Sequence, residues 1–318
     1  MNINANAQSY NLKENELQGA MPAIQQAKDH AEERLLRKQQ QIACLRLFSE
    51  YGYDTDIAGH FAVRDPEHTS CIWVNPMMIP LRILTPDDLL LMDHNGDIVE
   101  GSGPVNLGAY VIHSRIHAAR GDVVASVHFH SPYGKIWSAF GAKLPPINQD
   151  ACAFYNQHVV YDVYNGVPQD VLEGDGIVEA MGDCHTAVLR NHGLLTTATT
   201  IAGAAWRFVA MERACEAQIK AEATGRKLVE VTPDVARNTQ EYLASEYSAW
   251  LSFQPALHEA FQRFADLDHE SRKVCICGAG SHRWIGARSC RRALCLGDAG
   301  RVKRDLRGRD PVSHNSLD

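Results

Sequence analysis

With 318 residues, 45% of them hydrophobic and 22% charged, the chain carries enough apolar material to bury a full core. A formal net charge of −7 gives no electrostatic reason to expect nucleic acid or an anionic membrane surface, and no apolar run approaches the roughly 18 residues of a membrane span. Nine scattered cysteines, an odd number, fit reduced thiols in a cytoplasmic protein better than a disulfide framework, and the polar opening is not a signal peptide.

Residues 1–24 are rich in Asn and Gln and poor in large apolar side chains, which predicts a mobile arm. From about Gln25 to Tyr51 the apolar positions Leu35, Leu36, Ile42, Leu45 and Phe48 recur at helical spacing, and Gly52 ends the run. Strands are expected over Ile57–Arg64 and Ser70–Val74, separated by the turn-rich Asp65-Pro66-Glu67-His68. Thr85-Pro86-Asp87-Asp88 has the chemistry of an N-capped helical turn, and His94-Asn95-Gly96-Asp97 that of a hairpin turn. Val105–Ala119 has helical periodicity and sets His113 and His117 four apart, on one face. A buried strand over Val123–Val127 leads through His128 and His130 into Ser131-Pro132, where a helix carrying Lys135, Trp137 and Phe140 begins. Further along, Val159–Val163 is a strand, Gln169–Met181 is partly helical, and Ala187–Thr196 is a short apolar strand. Helices are expected over Ile201–Ala223 and Pro233–Trp250. Short strands alternating with helices in this way suggest a three-layer α/β/α domain over residues 25–266.

Residues 267–318 differ in character, mixing Cys275, Cys277, Cys290 and Cys295 with many arginines while apolar periodicity disappears. A disordered extension is the first reading, with a zinc module and a translated intron or shifted frame as alternatives.

His128 and His130 are one residue apart at the end of a strand, so both project to the same side and their nitrogens converge. His192, just before Gly193 at another apolar run, is the best third ligand. Three histidines with an open position are a common way to hold a catalytic divalent metal such as zinc or ferrous iron.

The sequence around these histidines resembles the class II aldolase/adducin family, whose members carry an H-x-H after a buried strand and a later N-H-G or H-H-G. The resemblance runs from about Arg37 to about Phe264 and includes Gly59-His60-Phe61-Ala62-Val63-Arg64, Thr85-Pro86-Asp87-Asp88-Leu89 and Met211-Glu212-Arg213. It implies the three-layer fold with a central, mainly antiparallel sheet, metal ligands at His128, His130 and His192, and a homotetramer with sites near subunit interfaces. It also exposes departures. The position of the aldolase glutamate is occupied by Ala109, the two serines before it by Leu107 and Gly108, and a Ser/Thr-Gly phosphate-binding turn by Met77-Met78. Gln149 aligns approximately with a tyrosine that the fuculose-phosphate aldolases contribute across the subunit boundary. His113 falls where many members have a packed structural histidine.

The expected phosphate handle and acid/base are therefore missing while the metal ligands are intact. Asp150 or Tyr155 are the candidates to substitute as acid/base, and His60, Met78, Lys135 and Gln149 the candidates for substrate contact. Lys135 reads equally well as a solvated surface residue, and Trp137 and Phe154 as ordinary core. Three functions follow. The first is a metal-dependent lyase acting on a carbon–carbon bond of an unphosphorylated carbonyl or keto-acid substrate through a metal-stabilised enolate, with Zn2+ first and Fe2+ or Mn2+ as alternatives. The second is a non-haem iron oxygenase or decarboxylase on the same three histidines, as in the aminocoumarin antibiotic pathways. The third is an adducin-like interaction module without catalysis. A small-molecule substrate is expected, with neither nucleic acid nor membrane as partner.

Overall fold

The computed structural model describes residues 22–24, 26–54, 56–167 and 170–267. The arm over residues 1–24 falls almost wholly, and the Cys/Arg-rich tail after Leu267 wholly, outside the described residues.

An eight-stranded sheet runs through the middle of the domain. Its strands are β1 (Gly59–Arg64), β2 (Cys71–Val74), β3 (Leu90–Asp93), β4 (Ile98–Glu100), β5 (Ala125–Phe129), β6 (His158–Tyr161), β7 (Thr186–Leu189) and β8 (Gly193–Ala198). The order is β4-β3-β2-β1-β5-β8-β7-β6, and every neighbouring pair is antiparallel except β6–β7. One face is covered by α1 (His30–Glu50), α6 (Ile201–Ala223) and α8 (Glu246–Arg263), over a core that includes Phe48, Phe61, Trp73, Phe129 and Phe208. The other face carries the helix α2 (residues 107–119) and α5 (Val171–Met181), packed on smaller apolar clusters around Ile112, Ile177, Leu189 and Ala62. This is the three-layer α/β/α arrangement expected from the alternation of elements.

Local chemistry explains most boundaries. Asp29 caps α1 by accepting from Glu32 N, and Thr85 with Asp88 forms the capping box of the short helical turn Pro86–Asp88. Pro132 opens α3 (Pro132–Ser138), which stops before Phe140. The segment Ala187–Thr196 is not one strand but a hairpin: Leu189 pairs with Gly193, and His192 sits in the three-residue turn. Likewise Pro233–Trp250 is two helices. The backbone leaves α7 (Pro233–Leu243) at Ala244, whose carbonyl accepts from Arg207, and Ser245 then caps α8 by accepting from Ser248 N. The helix over 107–119 contains one wide π turn, Tyr110–Ser114, that carries His113. No helix among the described residues is long and apolar enough to cross a membrane.

Strand directions decide what can meet. Because β8 is antiparallel to both β5 and β7, and β6 is parallel to β7, the C-terminal ends of β5, β6 and β7 share one edge of the sheet. That edge holds His130 and the His192 turn.

Candidate metal centre

Alternation along β5 puts Ser126 and His128 on one face, with His130 following in phase just beyond the strand. The antiparallel register of β1 places His60 directly opposite His128, so its imidazole shares that face, with ring centroids 5.1 Å apart. The β7–β8 turn supplies the third histidine. Asn191 takes a left-handed conformation (φ 56°), which asparagine tolerates better than most residues, and its N–H donates to the Ser138 carbonyl at 3.0 Å. Gly193 lets the turn close on β5: a Cβ there would stand 2.8 Å from the Phe129 carbonyl oxygen and 3.5 Å from His128 Cε1. His192 thereby lies 4.6 Å from His128 and 4.8 Å from His130 between ring centroids.

One ligand atom from each of His128, His130 and His192 lies within 4.8 Å of the others. His128 Nδ1 donates to the Leu194 carbonyl at 2.9 Å, and its Nε2 is buried without a partner. A buried imidazole nitrogen lacking a hydrogen bond is costly unless it serves as a ligand, so the donor set fits a divalent cation that accepts neutral imidazoles. Burial, then the neighbouring imidazoles His192, His60 and His130, holds His128 well below the usual histidine range. Burial and His130 hold His192 to about 4, and burial also lowers His130. All three are neutral near pH 7 and their lone pairs are available.

The start of α3 is held from behind. Glu212, deep in α6, accepts from Ser131 Oγ at 2.5 Å, Tyr133 N at 2.7 Å and Gly134 N at 2.6 Å. Its carboxylate thus caps the helix that begins two residues after His130. Burial raises its pKa and these three donors partly offset the shift.

The remaining sequence candidates divide into two groups. Lys135 is exposed on α3 and close enough to lower His130 electrostatically. Met78, 68% exposed, lines a groove of about 250 Å³ with Asp56, Ile57, Gly59, Met77, Ile79 and Asn106; this groove adjoins His60 through Gly59. Gln149, Asp150 and Tyr155 lie elsewhere. They precede the N-terminal end of β6, at the opposite edge of the sheet from the three histidines, so within one chain they do not join the site. Asn148 Oδ1 accepts from Ala151 N at 2.8 Å as the cap of the short helix α4 (Gln149–Cys152), which explains the polar character of that stretch. Trp137 and Phe154 are buried in the main core.

Two features escaped the sequence reading. Tyr164 stands beside His192 with ring centroids 6.3 Å apart, in a loop whose sequence gave no periodic signal. His113 and His117 are not isolated packing residues: both reach Ser126 Oγ, at 2.6 Å and 2.8 Å, and His113 also bonds His60. Ala109 is wholly buried, whereas Leu107, nearly half exposed, begins the helix close to the groove.

Residues 39–219 match the sequence model of the Class II Aldolase and Adducin N-terminal domain. Decarboxylase NovR of Streptomyces niveus is 41% identical over 233 residues, covering 73% of this chain and 86% of that protein. The 4-hydroxy-3-prenylphenylpyruvate oxygenase/4-hydroxy-3-prenylbenzoate synthase of Streptomyces roseochromogenus subsp. oscitans is 40% identical, covering 73% of this chain and 83% of that protein. Among solved structures, an L-fuculose 1-phosphate aldolase from Glaciozyma antarctica PI12 superposes with a TM-score of 0.71 at 31% identity, covering 78% of this chain and 97% of that one. With its fold, its histidine cluster and these matches together, the chain belongs to the class II aldolase/adducin family.

Proposed function

We propose that this chain is a metal-dependent enzyme that removes carbon dioxide from an unphosphorylated aryl 2-keto acid with dioxygen as oxidant, the reading in which iron rather than zinc occupies the centre. The observation that carries it is an intact set of three histidines in a chain with Ala109, Leu107, Met77 and Met78 at the positions where a sugar-phosphate aldolase needs an acid/base carboxylate and a phosphate cradle. The groove is mixed in character, with Ile57, Met77, Met78 and Ile79 offering apolar surface for an aromatic body and Arg82 a cation for a carboxylate, beside Asp54 and Asp56. The names of the two Streptomyces relatives, a decarboxylase and a phenylpyruvate-type oxygenase, point the same way.

His128, His130 and His192 would hold the metal, which supplies a Lewis acid for the keto-acid oxygens and a site for redox chemistry with dioxygen. The protein's own part is to position and exclude. Met78 lines the groove that would take the aryl ring, Leu107 begins the helix next to its Asn106, and Lys135, exposed on α3 near His130, offers a cation for the carboxylate. Tyr164 is the hydroxyl-bearing residue beside His192 in the same chain. Asp150, Tyr155 and Gln149 can serve a site only from a second chain, as the family's tetramer implies.

The second reading keeps the same residues but makes the reaction a non-oxidative lyase through a metal-stabilised enolate, with zinc or manganese. Metal analysis of anaerobically purified protein, followed by oxygen uptake and carbon dioxide release with phenylpyruvates, separates the two. About one iron per chain with substrate-dependent oxygen uptake is expected. Zinc or manganese with product formed under argon would replace the first reading by the second.

A further inference from the structure

Behind the three histidines lies a buried chain of polar groups that the metal does not need. His60 Nδ1 and His113 Nε2 are 3.0 Å apart, His113 Nδ1 and Ser126 Oγ 2.6 Å, and His117 Nε2 and Ser126 Oγ 2.8 Å. His117 Nδ1, at the far end, is buried without a partner. His60 Nε2, at the near end, faces Gly108, where an added Cβ would stand 3.6 Å away.

The protons in such a chain are constrained. All three imidazoles are buried, and the hydrogen bonds of their rings run only to one another and to Ser126, with no carboxylate to balance a charge, so each carries a single N–H. Ser126 brings one O–H. In one arrangement His60 Nδ1–H donates to His113, His113 Nδ1–H to Ser126, and Ser126 O–H to His117; His117 Nδ1–H is then a buried donor with nothing to accept it. In a second, both helix histidines donate to Ser126 Oγ, and its own O–H has no acceptor among the described residues. In the third, His117 Nε2–H donates to Ser126, Ser126 O–H to His113 Nδ1, and His113 Nε2–H to His60 Nδ1. All three bonds are made; what is left unmet is the His117 Nδ1 lone pair in the interior and the His60 Nε2–H, which unlike His117 Nδ1 is not a fully buried orphan and can meet water or substrate. Unmet buried donors are rarer and costlier than unmet acceptors, so the third arrangement wins.

We propose that His60 presents Nε2–H toward the metal centre as a neutral hydrogen-bond donor for a carbonyl or carboxylate oxygen of the substrate, its tautomer fixed from behind by His113, Ser126 and His117. The three are positioning residues, and the donor would act on a substrate oxygen beside the metal that His128, His130 and His192 would hold. The inference deepens the proposed function but is read without turnover, so each can fail alone.

The test is long-range 1H–15N correlation on the full chain, labelled with [15N]histidine and loaded with zinc. His60 is expected as a single Nε2–H tautomer, assigned by its loss in His60→Gln. In Ser126→Ala the relay is cut, and the His60 signal is expected to move to the Nδ1–H form or to a mixture. Adding phenylpyruvate under argon should move the Nε2–H proton downfield. A Nδ1–H tautomer in the unaltered protein, a tautomer indifferent to Ser126→Ala, or an Nε2–H proton that phenylpyruvate leaves in place would each overturn the proposal.

Discussion

His128 Nδ1 donates to the Leu194 carbonyl across the β5–β8 pair at 2.9 Å, and that bond decides which nitrogen of His128 is left for a metal. A carbonyl can only accept, so Nδ1 holds the proton and Nε2 keeps its lone pair, buried and without a partner. Replacing His128 by Ala should remove stoichiometric metal while leaving the fold, because the ring lies at the end of β5 and not in the main core. Elemental analysis and circular dichroism check this together. Full metal content in His128→Ala would sink the assignment of the centre.

Gly193 makes the more demanding prediction, since it has no side chain to offer a metal and acts only through the turn that carries His192. Ala there must push the β7–β8 turn off the Phe129 carbonyl, and His192 moves with it. We expect Gly193→Ala to lower metal affinity about 10- to 100-fold, the range found when supporting residues of metal sites are lost. Competition with a chromogenic chelator measures it, and affinity equal to wild type would show that the turn tolerates the methyl.

Glu212 tests the support behind His130. Gln at this position keeps one acceptor but turns an NH2 toward donors that now face a carboxylate. A loss of about 1–3 kcal/mol follows from the charge-assisted bonds removed, or a fall in Tm of roughly 2–10 °C in a domain of this size. Hydrogen exchange at Tyr133 and Gly134 amides should quicken selectively. Uniform exchange across the chain would mean that the cap is not what orders this helix.

How far the sequence reaches is visible in these same residues. Period-two alternation and the apolar run before His128 were enough to place two histidines on one face, and Gly193 marked where the third arrives. The hairpin around His192 was read as one strand because its turn, Arg190-Asn191-His192, contains neither glycine nor proline; Asn191 alone supplies the left-handed residue. Asp150 and Tyr155 are polar residues that could replace the missing acid/base, but the chain passes from one end of the strands to the other between Ser138 and Gln149. Periodicity carries no record of such a crossing. Nor could it show that His113 and His117 share one serine, since that contact depends on how the helix, with its π turn, lies over Ser126 of β5.

Acid should find the domain through Asp65. Its carboxylate is fully buried and accepts from Arg34 Nε at 2.6 Å, His68 N at 2.7 Å, Trp73 Nε1 at 2.8 Å and Glu67 N at 3.0 Å. Burial alone would raise its pKa, yet these donors outweigh it and hold Asp65 well below its ordinary 3.8. A depressed folded-state value means stabilisation that is complete above the unfolded value and is lost as pH falls below about 4. Asp65→Asn should cost about 2–3 kcal/mol at pH 7 and flatten the acid limb of the stability curve. Urea titrations at pH 7 and below pH 4 read both effects; an acid limb of unchanged steepness in the variant would assign acid sensitivity to other carboxylates.

The last prediction concerns Tyr155, which can reach a metal centre only on another chain. A His128→Ala chain lacks the metal but still carries Tyr155, while a Tyr155→Phe chain keeps the metal and loses the hydroxyl. If the site is assembled across subunits, each variant alone is inactive, and equal parts refolded together regain roughly a quarter of wild-type activity, because half the sites hold metal and half of those face an intact tyrosine. Full activity of Tyr155→Phe by itself would remove this residue from the chemistry. An inactive mixture of properly assembled oligomers would instead place the effect of Tyr155 within its own chain, at the sheet edge opposite the histidines, where it could act only by supporting the fold.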